Sequence, residues 1–215
     1  MSTTTASDLL RHLAEVAARQ PEPPGAGLYH YVHTAGAYLR TVRRVGGEIT
    51  GSVERMQRRQ WIAPDGSGRL LVTLDGEAIQ PSGDYAPGRL AAVFITTADP
   101  TAVEAELRER NPSGDTAVAV KVFADIWKNQ VVPPALQSVL LRHLAEYPDL
   151  ESADSAVWHT GKERRTLVFD HATGAVVGED VTALEGAKVP IPTPASISAT
   201  EWLHSGYTAT TEPPA

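Results

Sequence analysis

The 215-residue chain is long enough for one large domain or two small ones, and its 42% hydrophobic content is that of an ordinary globular protein. Its formal net charge of -7 argues against a general nucleic-acid role, and the lack of cysteine excludes disulfide bonds and thiolate metal sites. No apolar run approaches the roughly 20 residues of a membrane span. The N-terminus, MSTTTASDLL, lacks the basic region and apolar core of an export signal, so these residues predict a soluble chain.

The first predicted element is an amphipathic helix from Ser7 to Gln20. Leu9 and Leu13 recur at helical spacing on one face, and Thr5 or Ser7 can cap the N-terminus. The proline-rich segment 21–25 then ends the helix and leads into the first strand. We therefore expect residues 1–24 to form an N-terminal helix and linker.

A meander of three antiparallel strands follows, with aromatic and β-branched residues in the strands and glycines between them. The predicted strands are Leu28–Arg44, Glu48–Ile62 and Arg69–Leu74, joined by turns at Gly46-Gly47 and at residues 65–68. The third strand is apolar on both faces, which predicts that it lies inside the sheet.

The second strand changes phase along its length. Val53 and Trp61 lie at odd-numbered positions, whereas Met56 and Ile62 lie at even-numbered positions. Because side chains alternate between the two faces of a strand, this slip predicts a β-bulge and a strongly curved sheet.

Helical patterns occupy the middle of the chain. They follow a loop predicted for Asp75–Gly88 from its prolines and glycines, and an apolar segment, Leu90–Ile95, that predicts either a strand or the start of the helical layer. Asp99 before a proline is a strong helix-start signal. The predicted helices span Pro100–Arg110, Asp115–Asn129 and Ala135–Glu146, and together they predict one helical layer inserted into a β chain.

Strands return after the helices. A turn at Gly161-Lys162 predicts a hairpin, and the tail 210–215 should be flexible. The predicted strands are Ala153–Thr160, Glu163–Asp170, Ala175–Ala183 and Ser198–Thr208. This order of elements predicts an α+β fold.

The sequence offers no recognisable catalytic or metal-binding pattern. His30 and His33 are three residues apart on a strand, so they should point to opposite faces and cannot share a metal. His143 falls on an apolar helix face, and Gly66-Ser67-Gly68 fits a hairpin turn and not a nucleophile elbow. We expect no enzyme activity, no metal and no cofactor.

Arginines cluster on the predicted strands of this acidic chain. They could form a basic patch for an acidic partner or a lipid headgroup. Alternatively, their charge could prevent an exposed sheet face or edge from pairing with another chain. We favour the second interpretation. The residues are Arg43, Arg44, Arg55, Arg58, Arg59, Arg164 and Arg165.

Four stretches of the chain resemble an uncharacterised actinobacterial family of membrane-anchored ectodomains, which are anti-sigma-like membrane proteins. The VPPAL helix start and the FD-x-x-TG-x-VVGE hairpin are the most specific parts, and each is a structural motif. Members typically carry a short cytoplasmic segment, one transmembrane helix and then a domain of this kind. The stretches are LLRHLAEVAARQP (9–21), YHYVHTAGAYL (29–39), TADPTAVEAELRER with VFADIWKNQVVPPALQSVLLRHLAEYPDL (97–110 and 122–150) and LVFDHATGAVVGED (167–180).

The resemblance implies a fold similar to the periplasmic lipoprotein-carrier fold. That fold is a curved, unclosed antiparallel β-sheet, a half-barrel with a helical layer on its concave face, and it also occurs in periplasmic regulators of envelope-stress anti-sigma factors. The resemblance further implies a single domain over residues 25–209 with an extracytoplasmic location. Membrane attachment is expected only if a native N-terminal transmembrane helix precedes Met1.

The expected function is that of a non-catalytic extracytoplasmic binding or sensing domain of a cell-envelope protein. A carrier of a lipid or other apolar ligand is the alternative, and an enzyme of unrecognised type is the second alternative. The expected partner is an apolar small molecule, a lipid or an envelope protein. A ligand should contact the concave face, through Phe123, Ile126, Trp127 and Leu140 of the helices and through Trp61 and Trp158 opposite them on the sheet.

Overall fold

The structure, a computed structural model, describes residues 5–47, 49–90, 94–154 and 156–214. The helices in these ranges are α1 (Ala6–Ala17), α2 (Pro100–Arg110), α3 (Thr116–Asn129) and α4 (Pro134–Leu144). The strands are β1 (Tyr29–Arg43), β2 (Ile49–Ile62), β3 (Gly68–Leu74), β4 (Glu77–Tyr85), β5 (Glu151–Ala153), β6 (Ala156–Thr160), β7 (Glu163–Phe169), β8 (Val176–Ala183) and β9 (Ala195–Thr208). These strands form one antiparallel sheet in the order β4-β3-β2-β1-β9-β8-β7-β6-β5, which is not closed into a barrel. The predicted α+β class with an open antiparallel sheet is confirmed.

The sheet is built around the long hairpin that the sequence predicts. β1 and β2 pair without interruption from His30↔Ile62 to Arg43↔Ile49. Gly46 and Gly47 lie in the turn with φ angles of 110° and 89°, a region that glycine reaches without a Cβ clash. The hairpin is therefore confirmed, and so is the interior position of β3, which lies between β2 and β4.

The bulge predicted in the second strand is wrong. β2 pairs in continuous register with both β1 and β3, and the break in register on β1 lies between His33 and Thr34, where β1 pairs with β9. The presence of apolar residues at both odd and even positions of β2 has another cause. Gln60, Trp61 and Ile62 are consecutive and all buried, because both faces of this end of β2 are covered.

Residues Asp75–Gly88, predicted as a loop, contain the strand β4. Pro81 and Gly83 would weaken an interior strand, but β4 lies at an edge of the sheet, where a missing N–H need not cost a ladder hydrogen bond. The pairing with β3 shifts register next to Val72, whose N–H donates to the Ser82 hydroxyl over 2.8 Å. The loop prediction failed because its prolines and glycines mark an edge strand.

Other boundaries also differ from the predicted ones. The segment predicted as Ala153–Thr160 belongs to two strands, β5 and β6, and Asp154, between them, has a positive φ of 50°. β9 begins earlier than the predicted Ser198. Within Leu90–Ile95, residues 91–93 lie outside the described residues, and the others are in neither a strand nor a helix.

The helical layer covers one face of the sheet, which we call the helix face. α3 packs across β1, β6, β7 and β8, and α1 packs along α4. Leu10 and Leu13 of α1 are fully buried in the same core as the other helices. The opposite face, which carries Tyr31, Ala35 and Trp61, we call the trough face.

Candidate functional site

Four of the predicted contact residues lie in the core of the helix face. Phe123 and Trp127 stack along α3 with ring centroids 4.4 Å apart, and Phe123 meets Phe169 of β7 edge-on at 6.4 Å. Ile126 and Leu140 are fully buried in the same cluster. The placement predicted for these four residues is confirmed, whereas their contact with a ligand stays a prediction.

The two tryptophans predicted to face them from the sheet lie on the trough face. Gln60 Nε2 donates to the Asn129 carbonyl at the end of α3 over 3.1 Å, so the next residue, Trp61, points the other way. Val157 is buried in the core, so its neighbour Trp158 also points away from the helices. This part of the prediction is wrong, because large side chains on both faces of a strand do not show which face the helices cover.

The helical layer itself is closely packed. A cavity among α2, α3 and α4 measures about 10 Å³ and is lined in part by Leu107, Phe123, Leu144 and Tyr147. That volume is at the lower limit for a single water molecule. This part of the core therefore cannot hold an acyl chain.

Ionic contacts on the helix face account for part of the arginine cluster. Glu179 of β8 is buried and accepts hydrogen bonds from both Lys128 of α3 and Arg165 of β7. Arg58 donates to Gln60, and burial lowers the pKa of its guanidinium from the ordinary value. Arg58 and Arg165 therefore stabilise the fold and do not belong to a surface patch.

The trough face carries an open trough of about 750 Å³, whose lining residues lie on β4, β3, β2, β1 and β9 and on the turn between β3 and β4. Small side chains line it, among them Ala35 and Ala37 of β1 and Ala199 of β9. Arg55 and Arg59 of β2 also line it, and neither has a carboxylate within 4.0 Å among the described residues. The floor of the trough therefore consists of small side chains, and Arg55 and Arg59 add positive charge along β2.

Arginines line the trough along β2, and one acidic residue lines it on each side of them, Asp75 after β3 and Glu201 on β9. Ala37 pairs with Arg55 on one side, and Ala35 pairs with Glu201 of β9 on the other. The alanines of β1 thus lie between a cationic wall on β2 and an acidic residue on β9. A ligand that fits this arrangement is elongated and places acidic groups against β2.

The three histidines considered as metal ligands are separated in space. His30 lies on the helix face, where its Nδ1 accepts the Val131 N–H over 3.1 Å, and burial lowers its pKa. His33 lies on the trough face beside Gln57, and burial lowers its pKa as well. His143 belongs to α4. Among the residues described, no group of three or more histidine, aspartate or glutamate side chains could hold a metal ion.

A second cavity, of about 430 Å³, opens between the proline-rich linker, the end of α3 and β9. Trp127 and Trp202 line it, together with apolar residues such as Val131 and Val176. Trp127 is the one predicted contact residue that borders this cleft. An apolar ligand would therefore meet the predicted site at Trp127 and not between the helices and the sheet.

The trough was not foreseen from the sequence. A local signal exists in the run Ala35-Gly36-Ala37, because small residues inside a strand often mark a close approach of another chain or ligand. The contribution of Ala199 has no local signal, since it follows from the pairing of β1 with β9.

These features define an α+β domain with an open antiparallel sheet, a closely packed helical layer on one face and a trough of mixed charge on the other. Of the helices in the described part of the chain, none has both the length and the apolar character needed to cross a membrane.

Comparison with known proteins shows a remote likeness. No protein-family model and no curated protein matches the chain. The complex of MucA and MucB from Pseudomonas aeruginosa is similar with a TM-score of 0.27 and 13% sequence identity, covering 94% of this chain and 56% of that chain. A crystal structure of MucB is similar with a TM-score of 0.26 and 15% identity, covering 95% and 59%. This chain spans less than two thirds of either, and TM-scores this low carry no argument, so the actinobacterial family stays a prediction.

Proposed function

We propose that the chain is a non-catalytic, extracytoplasmic binding or sensing domain of a cell-envelope protein, and that its trough binds an extended acidic segment of a protein partner. The observation that carries this proposal is the pair Arg55 and Arg59, which line an alanine-floored trough without a carboxylate partner in the described part of the chain. Unpaired arginines are well suited to bind carboxylates, because the guanidinium can donate two parallel hydrogen bonds.

The dimensions of the trough favour a polypeptide. Its lining residues lie on five adjacent strands, which are about 4.8 Å apart, so it is roughly 19 Å wide. An extended chain advances about 3.3 Å per residue, so about six residues could lie across it. The small side chains of Ala35 and Ala37 would let a peptide backbone approach the sheet closely.

Binding of an acidic peptide tests the proposal. A fluorescein-labelled peptide of alternating glutamate and valine should bind, as measured by anisotropy, and a lysine–valine peptide of the same length should not. The variant Arg55→Ser/Arg59→Ser should weaken binding, and added salt should do the same. Arg142→Ser/Arg89→Ser, which removes two exposed arginines elsewhere, is the matched control. Equal binding by both variants would refute the trough as the site.

A second variant tests the shape of the trough independently of charge. Ala37→Leu places a larger side chain on the floor between β2 and β9 and should also block the peptide. Folding of this variant is checked by circular dichroism, because Ala37 lies on a sheet surface and not in the core.

The cleft beside Trp127 and Trp202 supports carriage of an apolar ligand as the second candidate. Titration with fatty acids or phospholipids, followed by tryptophan fluorescence, distinguishes the two functions. A saturable blue shift at micromolar ligand, lost in Leu203→Glu, would favour the carrier, since Leu203 lines the cleft and is 46% exposed. The absence of such a shift, with peptide binding intact, would support the protein-binding function.

The extracytoplasmic location and the division into a helix and linker (1–24), a single domain (25–209) and a flexible tail (210–215) are part of the proposal. They rest on the sequence resemblance. In the structure the Glu212 carbonyl of the tail accepts the Trp61 indole N–H over 3.0 Å, which is a contact between the tail and the sheet. Protease accessibility in intact cells of the native host would test the location.

A further inference from the structure

The end of the β1–β2 hairpin, residues 39–47 and 49–53 of the described chain, continues beyond the paired parts of β9 and β3, and we call this segment the arm. The pairing of β1 with β9 ends at Tyr38↔Ser198, and the pairing of β2 with β3 begins at Met56↔Leu74. From Leu39↔Val53 to Arg43↔Ile49, the two strands therefore pair with each other alone in the described part of the sheet. The arm is a two-stranded ribbon, and Pro190 and Ile191, from the connection between β8 and β9, lie close to its Gly51. The part nearest the turn lies beyond this contact.

Four large aliphatic side chains are exposed on the arm. Val45, next to the Gly46-Gly47 turn, is fully exposed, and the exposed fractions of Val42, Ile49 and Val53 are 43%, 50% and 56%. Val42 points to the side of the helix face, whereas Ile49 and Val53 point to the side of the trough face. The apolar surface thus surrounds the tip of the arm.

The tip also carries positive charge. Arg43 and Arg44 are exposed, and neither has a carboxylate within 4.0 Å among the described residues. Arg40, nearer the base, is paired with Glu54 at 3.0 Å. Residues 42–49 contain two arginines and one glutamate, Glu48, which lies outside the described residues, so this part of the sequence keeps a net positive charge in a protein whose net charge is -7. Positive charge beside exposed valine and isoleucine residues marks a distinct surface.

We propose that the tip of the arm docks onto an anionic phospholipid bilayer, with Val42, Val45 and Ile49 entering the interface and Arg43 and Arg44 contacting lipid phosphates. Val42 is four residues from the turn at Gly46, so the apolar part is within about 13 Å of the tip. Amphipathic segments bury their apolar side by roughly 5–10 Å at the headgroup boundary. Arginine can extend back to the phosphates from this depth.

The distribution of apolar residues decides between a bilayer and a protein partner. A protein that docked onto the arm would cover one side of the ribbon and leave the aliphatic residues on the other side in water. A lipid interface surrounds the tip and covers Val42, Ile49 and Val45 together. The net positive charge of residues 42–49 in the sequence is of the sign that an anionic membrane attracts.

Co-sedimentation with vesicles tests the charge requirement. The protein should bind phosphatidylcholine vesicles that contain phosphatidylglycerol and should bind pure phosphatidylcholine much more weakly. Arg43→Ser/Arg44→Ser should reduce binding by roughly fivefold for each arginine removed. Arg89→Ser/Arg142→Ser removes the same charge from exposed positions elsewhere and should bind like the parent. Equal loss in both double variants would overturn the proposal, since net charge alone would then explain the binding.

A fluorescent label tests insertion directly. The chain has no cysteine, so Val45→Cys can be labelled at one site with an environment-sensitive dye. Its emission should shift to the blue with anionic vesicles, whereas the same dye at Val118→Cys, an exposed position on α3, should not shift. No shift at Val45→Cys would overturn the proposal. A shift that depends on protein concentration without lipid would also overturn it, and would identify the arm as a contact between two copies.

Discussion

Trp202 of β9 donates its indole N–H to the main-chain carbonyl of Trp127, 2.9 Å away near the end of α3. The last four carbonyls of an α-helix have no partner within the helix. The bond from Trp202, together with that from Gln60 to the Asn129 carbonyl at 3.1 Å, therefore ties the end of α3 to two strands of the sheet. These bonds hold α3 in place against the helix face.

Trp202→Phe should lower the free energy of unfolding by about 1–3 kcal/mol, because it leaves the largely buried Trp127 carbonyl without a donor. Urea unfolding followed by circular dichroism measures the loss. Trp158→Phe is the matched control, since Trp158 is half-buried on the trough face, and it should change stability by less than about 1 kcal/mol. Equal losses in the two variants would show that the bond to Trp127 contributes nothing.

Glu179→Gln should destabilise the protein by about 3–5 kcal/mol, because it leaves the charges of Lys128 and Arg165 without their buried counter-ion. Glu104→Gln breaks a comparable pair with Arg108 on the surface of α2 and should cost at most about 1 kcal/mol. Thermal and urea unfolding of both variants distinguish the two cases. A cost for Glu179→Gln no larger than that for Glu104→Gln would contradict a stabilising role.

Leu13→Ala on α1 should cost about 2–5 kcal/mol, because Leu13 is fully buried in the core shared with α4. His12→Ala, at an exposed position on the same helix, should be close to neutral. Removal of residues 1–24 should therefore lower the stability of the remainder as well. If residues 25–209 unfold with unchanged stability after the deletion, the N-terminal helix is a separate unit.

Acidification should destabilise the protein through His30. Burial lowers the pKa of His30 in the folded state, and the Val131 N–H bond requires an unprotonated Nδ1. A depressed histidine pKa contributes stability above the unfolded value of about 6.5, and this contribution is lost as the pH falls toward the folded pKa. Urea unfolding at a series of pH values from about 7.5 to about 5, spanning that ordinary pKa, measures the effect.

The variant His30→Gln isolates this contribution from those of the other histidines. The parent should lose more stability than His30→Gln over the same fall in pH, whereas His12→Gln should follow the parent. Parallel curves for the parent and His30→Gln would exclude His30 as the cause.

Local signals in the sequence were sufficient where a few neighbouring residues decide the structure. The turns at Gly46-Gly47 and Gly161-Lys162 lie between paired strands as predicted. The helix start at Asp99 is also found, since its side chain accepts the Ala102 N–H over 2.8 Å. The same holds for Asp115, whose side chain accepts the Val118 N–H over 3.0 Å. Each of these contacts spans only a few residues along the chain.

The sequence by itself therefore determined the order of most elements, the main hairpin, the helical insertion and the apolar faces of α3 and α4. Only the tertiary structure decided that Asp75–Gly88 contains an edge strand, that Trp61 and Trp158 point away from the helices, and that Ala37 meets Ala199 in a trough. Turns and caps depend on contacts within a few residues, whereas the covered face of a strand depends on the partners it meets. Those partners, such as β9 beside β1, lie far along the chain, and no local pattern records them.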